Sequence, residues 1–240
     1  MAGPRPRRLW EALDRLDPDR VVETLAPYLT ARRKARIEAM IEGRLMSVQV
    51  AVEAPSDPHN AAAVLRTAEA LGVGTAHVVA AEGRALEARR TTQGAHHWVE
   101  VHEHPDLAAL LATLREAGVT PYGADMDGAV ELTQVPVDRP VCIVVGNESR
   151  GLSEAARAAM PTFRIPMVGL SQSLNLSVSA AIAMFDLTRR RRAWLGAQGD
   201  LDGPGRRRLR AYAYARSVDA RMLRGIFDLE WDGDGPRPGV

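Results

Sequence analysis

A chain of 240 residues, 46% apolar and 25% charged, suits one large globular domain with extensions and can bury a substantial core. No run nears the roughly eighteen uninterrupted apolar residues of a membrane span, and Met1 to Arg8 lacks the apolar stretch of a signal peptide, so neither a membrane protein nor a secreted one is expected. Its 31 basic and 30 acidic side chains nearly cancel to +1, and the single cysteine, Cys142, excludes an intramolecular disulfide and fits a reducing cytoplasm.

Residues 9–44 read as helical, with Leu9, Trp10, Leu13 and Leu16 on one face and an Arg-, Glu-, Ala- and Ile-rich stretch at 28–42. Leu45 to Val52 alternates and runs apolar, as a first strand does. Asn60 precedes Ala61–Leu71 as a helix cap, and Gly72 closes that helix. Further strands are predicted at Ala76–Ala80, His97–Val101 and Thr120–Ala124, with a helix over Leu107–Ala117 ended by Gly118. Val141–Val145 is the most apolar strand and is expected at the centre of the sheet, which makes Cys142 a buried structural thiol rather than a nucleophile. Ser153 begins a short helix, Phe163–Ile165 is the last strand, and a long helix runs from about Leu174 to Leu195. Gly196–Gly205 is a Gly/Asp/Pro linker before a basic terminal helix over 206–228. Three regions follow: a basic helical extension at 1–44, a core at 45–195, and a linker with a second basic helix at 196–240.

Charge is unevenly spread. Arginines gather at Arg5, Arg7 and Arg8, at Arg32 to Arg36, at Arg189 to Arg192 and at Arg206 to Arg210, while Lys34 is the only lysine. Guanidinium groups suit two-pronged phosphate contacts, so a polyanion competes with solvated helix faces as the explanation. His96, His97, His102 and His104 cluster in sequence, but no cysteine or compact carboxylate set accompanies them, and no metal is expected.

Alternating strands and helices predict an α/β fold, a mostly parallel sheet with helices on both faces and its ligand beyond the carboxyl ends of the strands. Three strand-to-helix junctions sit at that end. Asp57-Pro58-His59-Asn60 leads through Ala63 to Arg66. Gly146-Asn147-Glu148-Ser149-Arg150-Gly151 follows the most apolar strand. Ile165-Pro166-Met167-Val168-Gly169-Leu170-Ser171-Gln172-Ser173-Leu174-Asn175 leads into the long helix. A dinucleotide-binding fold is disfavoured, because Gly72-Val73-Gly74 follows a helix and lacks a third glycine. Taken singly, each junction also has a structural explanation: a capped helix, a solvated turn, an Arg66–Glu69 surface pair.

In this order the junctions resemble the three motifs of the SpoU/TrmH branch of the SPOUT RNA methyltransferases, over roughly residues 45–195. Thr91 to Trp98 also looks like a segment of that family. The resemblance implies a C-terminal trefoil knot, a homodimer packed through the last long helix, and S-adenosylmethionine as cofactor. It implies cofactor contacts at Ala124, Gly146, Ile165 and Leu174, and a catalytic set of Asn60, Arg66, Glu148 and Asn175. Arg189 and Arg191 match arginines that bind RNA in the family. The implied reaction is methyl transfer to a ribose 2′-hydroxyl, with a guanosine in the D-loop of tRNA as substrate. Alternatives are a ribosomal-RNA 2′-O-methyltransferase and a non-catalytic RNA-binding protein on the same fold.

Overall fold

Alternation through Leu45–Val52 builds β1 (Leu45–Glu53), which joins β2 (Val73–Val79), β3 (Glu100–His104), β4 (Thr120–Ala124), β5 (Val130–Glu131), β6 (Val141–Val145) and β7 (Thr162–Arg164) in one sheet. The computed structural model describes residues 9–80, 94–229 and 231; Arg5, Arg7, Arg8 and the Thr91–Gln93 part of the family-like segment lie outside them. Strand order is β3-β2-β1-β6-β4-β7-β5, and every pairing is parallel. The apolar strand β6 is central, as its composition predicts. β7 enters between β4 and β5, two strands that precede it in the chain.

The sheet is covered on both faces. On one, α4 (Pro58–Ala70) and α7 (Leu176–Leu195) pack Val64, Leu65, Ala68, Ala180, Met184 and Leu187 against Val50, Ile143 and Phe163. On the other, α5 (Leu107–Glu116) and α6 (Glu154–Ala159) bring Leu110, Leu114 and Ala156 onto Ala51, Cys142 and Val144. Each fully buried aliphatic side chain such as Ile143 contributes about 1.5–3 kcal/mol over an exposed one, so these two layers fix the frame from which the loops project.

The chain divides into two compact units, Arg44–Asp200, which holds this sheet, and a second that combines the residues up to Gly43 with those from Leu201 onward. In the second unit α1 (Leu9–Leu13), α2 (Pro18–Leu25) and α3 (Ala31–Glu42) pack on α8 (Gly203–Ala215), which α9 (Ala220–Phe227) follows. Trp10 stacks on Tyr212 with ring centroids 3.6 Å apart, and Arg208 lies over Trp10 while pairing with Asp14.

Several boundaries differ from expectation for local reasons. Pro18 opens α2 and Pro27 sits in a 3-10 turn, so the N-terminal segment is three helices rather than one. Gly94 is left-handed and starts a 3-10 turn over Ala95–His97, which delays the third strand to Glu100. Asp57, not Asn60, caps α4: its carboxylate accepts the His59 amide, and Pro58 fills the first helical position. Asn60 is thereby freed for other partners.

Candidate active site

The carboxyl ends of β4, β6 and β7 border a cavity of about 370 Å³. Ala124, Gly146, Ile165 and Leu174 line it, together with Glu148. Gly146 has a steric reason: a Cβ there would collide with the backbone of Gly151 and Leu152. Asn147 exchanges backbone hydrogen bonds with Gly151, whose positive φ of 66° tightens the loop at the cavity wall.

Beside the cavity the three junctions meet in one hydrogen-bonded chain. Glu148 Oε2 accepts the Ser56 amide at 2.9 Å and the Ser56 hydroxyl at 2.5 Å, while Oε1 accepts the Asp57 amide at 3.3 Å and Asn60 Nδ2 at 3.1 Å. Burial alone raises the Glu148 pKa, but these donors outweigh it and hold the carboxylate at about 2. Asn60 Oδ1 in turn accepts Asn175 Nδ2 at 3.2 Å. Asn175 Oδ1 accepts the amides of Ser177 and Val178, so this residue caps α7 and joins the site at once. Arg66, two turns beyond Asn60 on α4, is exposed and pairs with no carboxylate among the described residues, Glu69 included.

A methylation cofactor fits this cavity. Its volume falls in the range of small-molecule sites, and its wall combines apolar side chains such as Phe163, Ile165 and Leu176 with polar and charged ones such as Asp125, Asn147 and Glu148.

The family model of the SpoU rRNA methylases matches residues 47–185, more than half of the chain. The chain belongs to the SpoU rRNA methylase family. Over 164 residues it is 38% identical to the tRNA (guanosine(18)-2′-O)-methyltransferase of Thermus thermophilus, spanning 68% of this chain and 84% of that protein. The crystal structure of the A. aeolicus TrmH/SpoU tRNA modifying enzyme superposes with a TM-score of 0.67 at 27% identity, covering 78% of this chain and 98% of the other. The SpoU methyltransferase AviRb from Streptomyces viridochromogenes, in complex with the cofactor AdoMet, superposes at 0.55 and 27% identity over 62% of this chain and 58% of its own.

In this SpoU-family chain the two arginines of the long helix part company. Arg189 is exposed. Arg191 is buried: its Nε donates to Ser47 Oγ at 2.8 Å, its Nη1 to the Val137 carbonyl at 2.7 Å, and its guanidinium lies over Trp194. Arg191 thus ties the start of β1 to the segment before β6, its helical turn facing the sheet. Sequence also missed residues on the cavity wall. Asp125 and Arg157 line it as an ion pair of 2.6 Å, and the Asp125 carboxyl is depressed because the Arg157 and Asp127 donors outweigh its burial. Asp125 directly follows Ala124 and was within reach of sequence reasoning. Arg157, 32 residues on, carries no local signal.

The histidines sit elsewhere. His77 and His104 are buried across β2 and β3, with His77 Nδ1 3.0 Å from His104 Nε2 and His77 Nε2 2.9 Å from Gln49 Oε1. Gln49 Oε1 only accepts, so His77 donates there from Nε2 and accepts from His104 at Nδ1. Among the described residues no three His, Cys, Asp or Glu side chains converge as a metal site does.

Proposed function

We propose that this protein transfers a methyl group to a ribose 2′-hydroxyl of RNA, and that the nucleotide is a guanosine in the D-loop of tRNA. The observation that carries the reading is the Glu148–Asn60–Asn175 chain, which ties all three junctions to one edge of a cofactor-sized cavity, while Arg66, exposed on the helix that carries Asn60, pairs with no carboxylate among the described residues. The relatives named for guanosine 18 of tRNA, matched over most of their length, support tRNA over ribosomal RNA.

Ala124, Gly146, Ile165 and Leu174 would hold S-adenosylmethionine, which would supply a methyl group on a positively charged sulfur. The chain's own residues have three tasks. The Gly146–Gly151 loop and Ile165–Leu174 segment shape the cavity. Arg66 orients the ribose and its phosphate with a planar fork of donors; always charged, it is no base. Glu148, ionised at every physiological pH and already accepting four hydrogen bonds, fixes Asn60 rather than taking the 2′-hydroxyl proton.

The same reading extends to assembly and place. Val178, Ile182 and Phe185 form an exposed apolar stripe on α7, at 45%, 39% and 60% exposure, while its other side is buried on the sheet, and a second copy of the chain covers that stripe in a homodimer. No helix among the described residues is long and apolar enough to cross a membrane, and an RNA substrate assigns the protein to the cytoplasm. Separate tRNA and ribosomal-RNA pools incubated with the pure protein and methyl-labelled cofactor test the substrate: label enters the tRNA pool. Label confined to ribosomal RNA would reassign the substrate, and none in either would leave a binding protein.

A further inference from the structure

Two of the four hydrogen bonds on Glu148 come from Ser56, which the motif residues do not include. β1 ends in Glu53, whose buried carboxylate accepts the Ser153 amide at 3.0 Å and hydroxyl at 2.6 Å. Ala54 follows with a φ of 47°, in the left-handed region that a residue with a Cβ seldom occupies. Its carbonyl accepts Asn147 Nδ2 at 2.8 Å, and Asn147 Oδ1 gathers the amides of Ser149 and Arg150. Ser56 and Asp57 then close on Glu148. The turn after β1 and the loop after β6 are thus laced together residue by residue, and strain held by such lacing is typical of a site that must stay in one geometry.

We propose that Ser56 is a positioning residue for methyl transfer: with its hydroxyl and amide it sets the Glu148 carboxylate, which sets Asn60 and, through Asn60, Asn175. The inference rests on the methyltransferase reading. Ser56 does not line the cavity and its hydroxyl binds Glu148, so its effect on turnover passes through that carboxylate. A merely structural serine on an exposed turn would instead alter stability alone.

Ser56→Ala and Ser56→Thr in the full chain separate these roles. Ser56→Ala keeps the backbone amide, so three of the four bonds to Glu148 remain and the fold survives. Loss of one hydrogen bond to a charged group is expected to lower kcat about tenfold or more, with KM for RNA and cofactor within about twofold. Ser56→Thr, which retains the hydroxyl, restores kcat. Carbon NMR of the Glu148 carboxyl, assigned with Glu148→Gln, shows its titration moving upward in Ser56→Ala and returning in Ser56→Thr. A Ser56→Ala enzyme with wild-type kcat, or a threonine variant as slow as the alanine one, overturns the proposal. A wild-type protein inactive on every RNA overturns the methyltransferase reading itself; the NMR titration then decides the hold on Glu148 independently, upheld by a shift in Ser56→Ala and refuted by none.

Discussion

Arg66 is where a surface role and a catalytic one differ most. An exposed arginine without an ion pair loses at most about half a kcal/mol of stability on truncation. Arg66→Ala is therefore expected to melt like the wild type and to bind S-adenosylmethionine normally by calorimetry, yet to lose most methyl transfer. Arg66→Lys keeps the charge but not the two-pronged fork, and is expected to rescue little. Normal turnover in Arg66→Ala would end the catalytic assignment. At this scale the sequence was informative where one residue carries one motif position. Asn60, Glu148 and Asn175, named from three separate junctions, meet within hydrogen-bond distance. Partners from outside the motifs were invisible: Ser56 is 92 residues from Glu148, and nothing in Pro55-Ser56-Asp57 announces a carboxylate ligand. The burial of Arg191 was not legible for a related reason, because its run of four arginines does not say which one the helical turn buries.

At the scale of elements, β1, β2 and β3 share a buried polar seam with a pH consequence. Burial, then the neighbouring His102 and His104, push His77 down to about 3, and burial likewise lowers His104. Above pH 6.5 both folded and unfolded His77 are neutral and the seam is fully stabilising. Below it the unfolded chain takes up a proton that the native seam refuses, so stability falls as pH drops toward 3, by up to about 1.4 kcal/mol per unit. The depressed carboxylates Glu148 and Asp125 act in a lower window, their contribution being lost only as pH falls below about 4.5. Urea unfolding between pH 7.5 and 5 therefore isolates the histidines: a clear loss is expected in the wild type and a flatter profile in His77→Gln. Equal slopes in the two would refute the assignment.

The helices of the second unit sort the arginine clusters in the same way. Arg208 and Arg210 are engaged by Asp14 and Glu38, holding α1 and α3 to α8, whereas Arg32 and Arg36 on α3 are exposed with no side-chain partner among the described residues. If α3 contacts RNA, the double change Arg32→Ala, Arg36→Ala lowers the salt slope of tRNA binding by about two, one per phosphate contact. Arg208→Ala is expected to leave that slope unchanged and to lower the melting temperature modestly. An unchanged slope in the α3 variant would place the phosphate contacts elsewhere. Periodicity showed that these segments are helical and basic, but not which charges are already neutralised, since that depends on helices some 170 to 190 residues apart in sequence meeting.

For the whole molecule, parallel α/β architecture was legible from strand–helix alternation, and the central place of Val141–Val145 from its composition. The insertion of β7 between β4 and β5 was not, because strand order depends on pairings that hydrophobic pattern does not encode. The proposed homodimer uses the exposed side of α7. Light scattering at micromolar concentration is expected to give twice the mass of the 26.1 kDa chain, and Ile182→Glu with Phe185→Glu to return it to one. A wild-type monomer would reject the dimer.

The central claim, transfer to a ribose 2′-hydroxyl, is met most directly by nucleoside mass spectrometry of unmodified tRNA incubated with the protein and S-adenosylmethionine. The wild type is expected to yield 2′-O-methylguanosine at a single D-loop position, and Arg66→Ala to yield none. A methyl group found on a base, or no methylated nucleoside at all from the wild type, would contradict that claim.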